Sequence, residues 1–189
     1  MKIGLFFGSF NPIHTGHLII AEYVSNYFTD KVWFVVSPQN PFKNKDELLD
    51  VNNRLLLAMS AIRGNKNFKV SDIELGLPTP SYTIDTLTQL KKKFPTNYFS
   101  IIMGSDTFLS ISKWKSSDIL LSNYNFLIYQ RPSFKIDVNR ITSNITLLNA
   151  PLINLSSTLI RKWIKEKKSI RYVVPESTLK LIYENKFYF

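Results

Sequence analysis

Short apolar runs and helically spaced apolar stripes follow one another along this chain. Lys2–Phe7 (KIGLFF) is an apolar run closed by Gly8 and predicts a buried strand. Leu18, Ala21, Val24 and Phe28 fall on one helical face and predict a helix over about 16–28. Lys31–Val36 (KVWFVV), β-branched and aromatic, predicts a second strand that stops at Ser37-Pro38. A loop rich in Pro, Asn and Lys follows, then a helix over about 51–62, and a weaker third strand pattern over Phe68–Leu75. Ile84, Leu87, Leu90 and Phe94 mark the next helix, which Pro95 stops. Tyr98–Gly104 and Asn125–Arg131 read as buried strands around a helical segment at about 108–121. A short strand in ITLLNA and two helices, about 157–167 and 176–183, close the series.

Strands that alternate with helices predict an α/β fold, Rossmann-like and doubly wound. Its sheet is mainly parallel, with helices on both faces. No repeat, low-complexity tract or Gly/Ser linker interrupts the pattern, so residues 1–189 are expected to form a single domain. Ligands of such sheets bind beyond the carboxyl ends of the strands, beside the first strand–helix turn.

Composition narrows the picture. Hydrophobic residues make up 44% of the chain and aromatics 14%, as in a globular protein. No apolar run approaches the length of a membrane span, and MKIGLFFGSF reads as a first strand rather than a secretory leader. With no cysteine, disulfides and thiolate metal sites are excluded, and the cytoplasm is the expected compartment. The net charge of +10 comes from Lys and Arg scattered along the chain, apart from LKKKF and RKWIKEKKSIR. That pattern fits a solvated basic surface, or a field that draws in phosphorylated ligands, better than a nucleic-acid stripe. Neither a nucleic acid nor a membrane is an expected partner; self-association is left open.

The predicted first turn holds the candidate chemistry. GSFNPIHTGH, Gly8–His17, contains both histidines of the protein. Gly8 lets the backbone turn at the strand exit, and Gly16 opens the helix start. The helix N-terminus offers free N–H groups and partial positive charge, which suit phosphate. Neither G-x-x-x-x-G-K-[ST] nor G-x-G-x-x-G occurs. The three-residue His spacing is not that of an H-E-x-x-H zinc site.

G-x-F-x-P-x-H-x-G-H resembles the nucleotide-binding motif of the H-x-G-H nucleotidyltransferases. A second motif of that family is matched at LSSTLIRKWI, Leu155–Ile164. There Ser156, Ser157 or Thr158 can cap a helix and offer hydroxyls to phosphate, with Arg161 one turn on as a fork for polyphosphate. Between the two motifs, PSYTIDTLTQLKKKFP, IIMGSDTFLSISKWKSSDIL and QRP resemble the bacterial nicotinate (nicotinamide) mononucleotide adenylyltransferases, in consistent order over nearly the whole chain.

That resemblance implies transfer of AMP from ATP to nicotinate mononucleotide, a step of NAD biosynthesis, with Mg2+ bound mainly through the ATP phosphates. It implies His14, His17 and Arg161 as the catalytic residues. The ATP site would comprise Gly8, Ser9, Phe10, His14, Gly16, His17, Asp106, Ser157, Thr158 and Arg161. Lys43, Thr83, Asp106 and Trp114 would hold the mononucleotide: Thr83 at the carboxylate, Trp114 stacked on the pyridinium, Asp106 near a ribose hydroxyl or the phosphates, and Lys43 on a phosphate. No metal ligand on the protein is implied. Read without the resemblance, Thr83 could simply cap a helix and Trp114 could be core. The chain departs from the family at Phe7, where a glycine is usual, at Asn11, often Asp, and at Lys115, often aromatic.

Overall fold

The computed structural model describes residues 1–39, 48–137 and 141–189. Six strands, β1 (Lys2–Gly8), β2 (Lys31–Val36), β3 (Phe68–Ser71), β4 (Tyr98–Gly104), β5 (Asn125–Tyr129) and β6 (Ile145–Leu148), form one sheet in the order β3-β2-β1-β4-β5-β6. Every pairing is parallel. The helices are α1 (Thr15–Tyr27), α2 (Val51–Ala61), α3 (Thr83–Lys93), α4 (Ser105–Phe108), α5 (Ser117–Asn123), α6 (Ser157–Lys165) and α7 (Glu176–Glu184).

The central strands are continuous apolar runs because both faces of the sheet are covered. Phe6, Phe34, Ile102 and Leu127 face one core, shared with α1, α2, α6 and α7 through Val24, Ala58, Ile160, Ile164 and Ile182. Ile3, Leu5, Trp33, Ile101 and Phe126 face the other, closed by Leu87 and Leu90 of α3 and Leu120 of α5. The expected doubly wound α/β fold is the observed one. Among the described residues, no helix is long and apolar enough to cross a membrane.

Two elements differ from the sequence pattern. The third strand ends at Ser71, and residues 73–76 turn as a 3-10 helix. β3 is an edge strand whose pairing with β2 ends at Val35–Ser71, so the ladder has no partner beyond. The segment expected as one helix over 108–121 is broken into α4, a 3-10 turn at Ile111–Lys113, and α5. Trp114 is extended and Ser116 left-handed at φ 55°, which separates α5 from the turn.

The strand order reverses between β1 and β4, the switch point where a parallel sheet leaves a crevice. The exits of these two strands, Gly8 and Gly104, both line that crevice.

Candidate active site

The crevice is a cavity of about 510 Å3, within the range of small-molecule sites. Its floor is the loop from Gly8 to His14. Phe10 adopts a left-handed conformation, φ 43°, unusual for a bulky side chain. Burial holds it there: its ring is 2% exposed and packs edge-on against Phe6, Phe34 and His17. Gly8 makes room for it, because a Cβ at Gly8 would lie 2.9 Å from Cζ of Phe10.

His14 precedes α1 and His17 lies in its first turn, so a three-residue spacing brings the rings onto one face. They stack with centroids 3.7 Å apart and planes inclined by 26°. The backbone N–H of His14 donates to Nδ1 of His17 at 3.3 Å. Gly16 lies beneath them. A Cβ there would sit 3.0 Å from Cε1 and Nδ1 of His14, so any larger residue displaces that ring.

His14 is buried, and Nδ1 has no hydrogen-bond partner among the described residues. Burial, with the positive charge of Arg131 adding to it, lowers its pKa from the usual 6.5 to about 3. The ring is therefore neutral near neutral pH. In the free protein it offers hydrogen bonding, and charge at that ring needs an anion beside it.

The second motif reaches the same cavity from α6. Ser156 is the N-cap, its Oγ accepting from the Leu159 N–H at 3.2 Å. The hydroxyl of Ser157 donates to the Pro12 carbonyl at 2.8 Å, and Arg161 Nη1 donates to the Asn11 carbonyl at 3.0 Å. These two bonds fasten the start of α6 to the loop that carries the histidines. Ser157, Thr158 and Arg161 line the cavity together with His14 and His17.

Tyr82 is the N-cap of α3, and Thr83 is its first helical residue. Thr83 lines the cavity, and so does Trp114, which also packs partly buried against the second core. Asp106 follows the exit of β4, with Oδ1 3.3 Å from Nε of Arg131. Gly8, Ser9, Phe10, Thr83, Asp106 and Trp114 thus join the two motifs around one space. Gly16 supports the site from below without lining it, and Lys43 lies outside the described residues.

Three residues were not singled out in the sequence. Arg131, in QRP, lines the cavity, and Tyr129 Oη accepts from its Nη2 at 3.0 Å; its signal was an arginine two residues past the last strand position. Arg54 is 1% exposed and donates to four carbonyls, those of Ser9, Ser37, Pro38 and Leu49. Burial lowers its pKa, and the nearby Tyr188 and Asp50 oppose that shift. Glu74, 2% exposed, accepts from the hydroxyls of Ser81 at 2.7 Å and Thr86 at 2.8 Å. Nothing in the local sequence distinguishes Arg54 or Glu74 from surface charges.

The cytidylyltransferase-like family model matches residues 5–163. A protein of Cytophaga hutchinsonii described as a "probable nicotinate-nucleotide adenylyltransferase" is 46% identical over 100% of this chain and 98% of its own length. A protein of the same description from Bacteroides fragilis is 42% identical over 96% of this chain and 90% of its own. The chain belongs to the cytidylyltransferase-like family, in its nicotinate-nucleotide adenylyltransferase branch.

Solved structures of the Plasmodium falciparum nicotinic acid mononucleotide adenylyltransferase share the fold. The one complexed with NaAD superposes with a TM-score of 0.85 over 99% of this chain and 97% of its own, at 23% identity. The one complexed with APC gives 0.83 over 99% of this chain and 96% of its own, also at 23% identity. The switch-point cavity is therefore built on the scaffold of this adenylyltransferase family.

Proposed function

We propose that this chain, acting as one nucleotidyltransferase domain over 1–189, transfers the adenylyl group of ATP to nicotinate mononucleotide. The products are nicotinate adenine dinucleotide and pyrophosphate. The observation that carries this reading is the shared cavity. His14, His17 and Arg161 line the same space as Thr83 and Trp114.

The 5′-phosphate oxygen of the mononucleotide attacks the α-phosphorus of ATP. A new P–O bond forms as the bond from the α-phosphorus to the bridging oxygen breaks, and pyrophosphate leaves in line. A phosphate monoester is largely dianionic at neutral pH, with a second pKa of about 6, so the nucleophile needs no general base. Catalysis then rests on orientation and on stabilising charge in the transition state.

His14 and His17 donate N–H bonds to phosphate oxygens. Arg161 supplies a planar fork and a fixed charge, and the α6 N-terminus with Ser157 and Thr158 supplies further donors. Asp106, oriented by Arg131, accepts from a ribose hydroxyl. Thr83 donates to the nicotinate carboxylate, and Trp114 stacks on the cationic pyridinium. Lys43 contacts a phosphate. The divalent cation enters as part of the substrate, Mg–ATP.

The test is pyrophosphate release from Mg–ATP, measured separately with nicotinate mononucleotide, its amide and phosphopantetheine. Release is expected with the nicotinate nucleotide. His17→Ala should lower it by about two orders of magnitude or more while circular dichroism shows an intact fold. No release with any acceptor would make the protein a nucleotide-binding module instead, and near wild-type turnover in His17→Ala would remove the assigned role.

A further inference from the structure

Lys115 lines the same cavity as Tyr82, Thr83 and Trp114. Its Nζ lies 2.9 and 3.2 Å from the two carboxylate oxygens of Asp85, in the first turn of α3. It also stands 4.9 Å from the centroid of the Tyr82 ring. Tyr82 and Asp85 flank Thr83 in the chain, so the ammonium is held across the first turn of the helix from which Thr83 projects.

Asp85 by itself places a negative charge beside the Thr83 end of the cavity. Lys115 cancels that charge. Both contacts to Asp85 go to one carboxylate, so an ammonium with three N–H groups keeps at least one donor for another acceptor. Side-chain exposures of 49% for Lys115 and 43% for Asp85 leave the pair accessible to a ligand.

We infer that Lys115 sets the preference of this site for a pyridine bearing a carboxylate over one bearing a carboxamide. The inference rests on the reading of the cavity as a pyridine mononucleotide site. A nicotinate ring is a zwitterion, and its carboxylate, placed at Thr83, gains from both the α3 N-terminus and the ammonium. A nicotinamide ring is a net cation with a neutral substituent, so the same ammonium repels it. One side chain therefore acts with opposite sign on the two acceptors, and discrimination needs that repulsion as well as attraction.

The experiment compares kcat/KM for nicotinate mononucleotide and its amide in wild type, Lys115→Gln, Lys115→Arg and Asp85→Asn. Lys115→Gln is expected to lower kcat/KM for the acid about tenfold, the low end for a charged hydrogen bond at a half-exposed site. That loss should appear mainly in KM, with no loss for the amide. Lys115→Arg restores the ratio, and Asp85→Asn, which frees the ammonium, raises it. A Lys115→Gln ratio equal to that of wild type would overturn the inference and leave Lys115 as a tether to α3. Wild-type inactivity with both acceptors would instead overturn the reading of the cavity, and this inference with it.

Discussion

At the level of single side chains, the environment of His14 gives the protein a pH dependence that its composition does not show. The ring is buried and its folded pKa is about 3, against 6.5 as the ordinary value. Between these limits the unfolded chain binds a proton that the folded chain does not. Stability therefore falls as pH drops through this window, by about 1.4 kcal/mol per unit from this group. Urea unfolding at pH 6.5 and 5.0 should show a loss of about 2 kcal/mol attributable to His14. His14→Gln, which cannot titrate, should lack that component; an unchanged slope in the variant would mean that the ring is not desolvated. His17, three residues away, is less buried, a difference the motif by itself does not show. Two histidines of one spacing acquire different surroundings from residues as distant as Arg131, beyond β5.

At the level of elements, Arg54 is the connection that the hydrophobic pattern did not reveal. It sits in α2, yet its guanidinium binds the loops leaving β1 and β2 and the segment entering α2. Its charge is spread over four carbonyl dipoles, with no carboxylate bonded to it among the described residues. Arg54→Met keeps the apolar stem but leaves those carbonyls without donors. The expected loss is about 3 kcal/mol or more in chemical unfolding, with a raised KM for ATP because Ser9 is no longer held. A loss below about 1 kcal/mol would show that water replaces the guanidinium at little cost. The third strand teaches a related lesson. Alternation over Phe68–Leu75 suited a strand, but pairing requires a neighbour, and β2 supplies one only as far as Val35. The chain turns instead and buries Glu74 under the hydroxyls of Ser81 and Thr86.

At the level of the whole molecule, Arg161 reports whether the two ends of the chain act as one site. It lies 150 residues from Asn11, whose carbonyl it binds, and a fold that turned α6 elsewhere would separate the two motifs completely. Arg161→Ala should cost only about 1 kcal/mol in stability, the usual value for one hydrogen bond, while kcat/KM for ATP falls by about two orders of magnitude. Arg161→Lys should recover part of that, since an ammonium keeps the charge and loses the fork. Equal effects on stability and on rate would mark Arg161 as a fastener of α6 rather than a ligand of the triphosphate.

The sequence by itself determined the kind of sheet, the position of its first turn and the residue types gathered there. These follow from local physics: strands buried on both faces must be apolar throughout, helices buried on one face must be striped, and a sharp strand exit favours glycine. It also carried both family motifs, because each is a contiguous stretch of the chain. Only the tertiary structure decided that His14 stays neutral, that Asp106 faces Arg131, that Arg54 and Glu74 lie buried, and that Lys115 meets Asp85 beside Thr83. Those properties depend on desolvation and on charges brought close by packing between elements remote in sequence, and neither quantity is written in any local pattern.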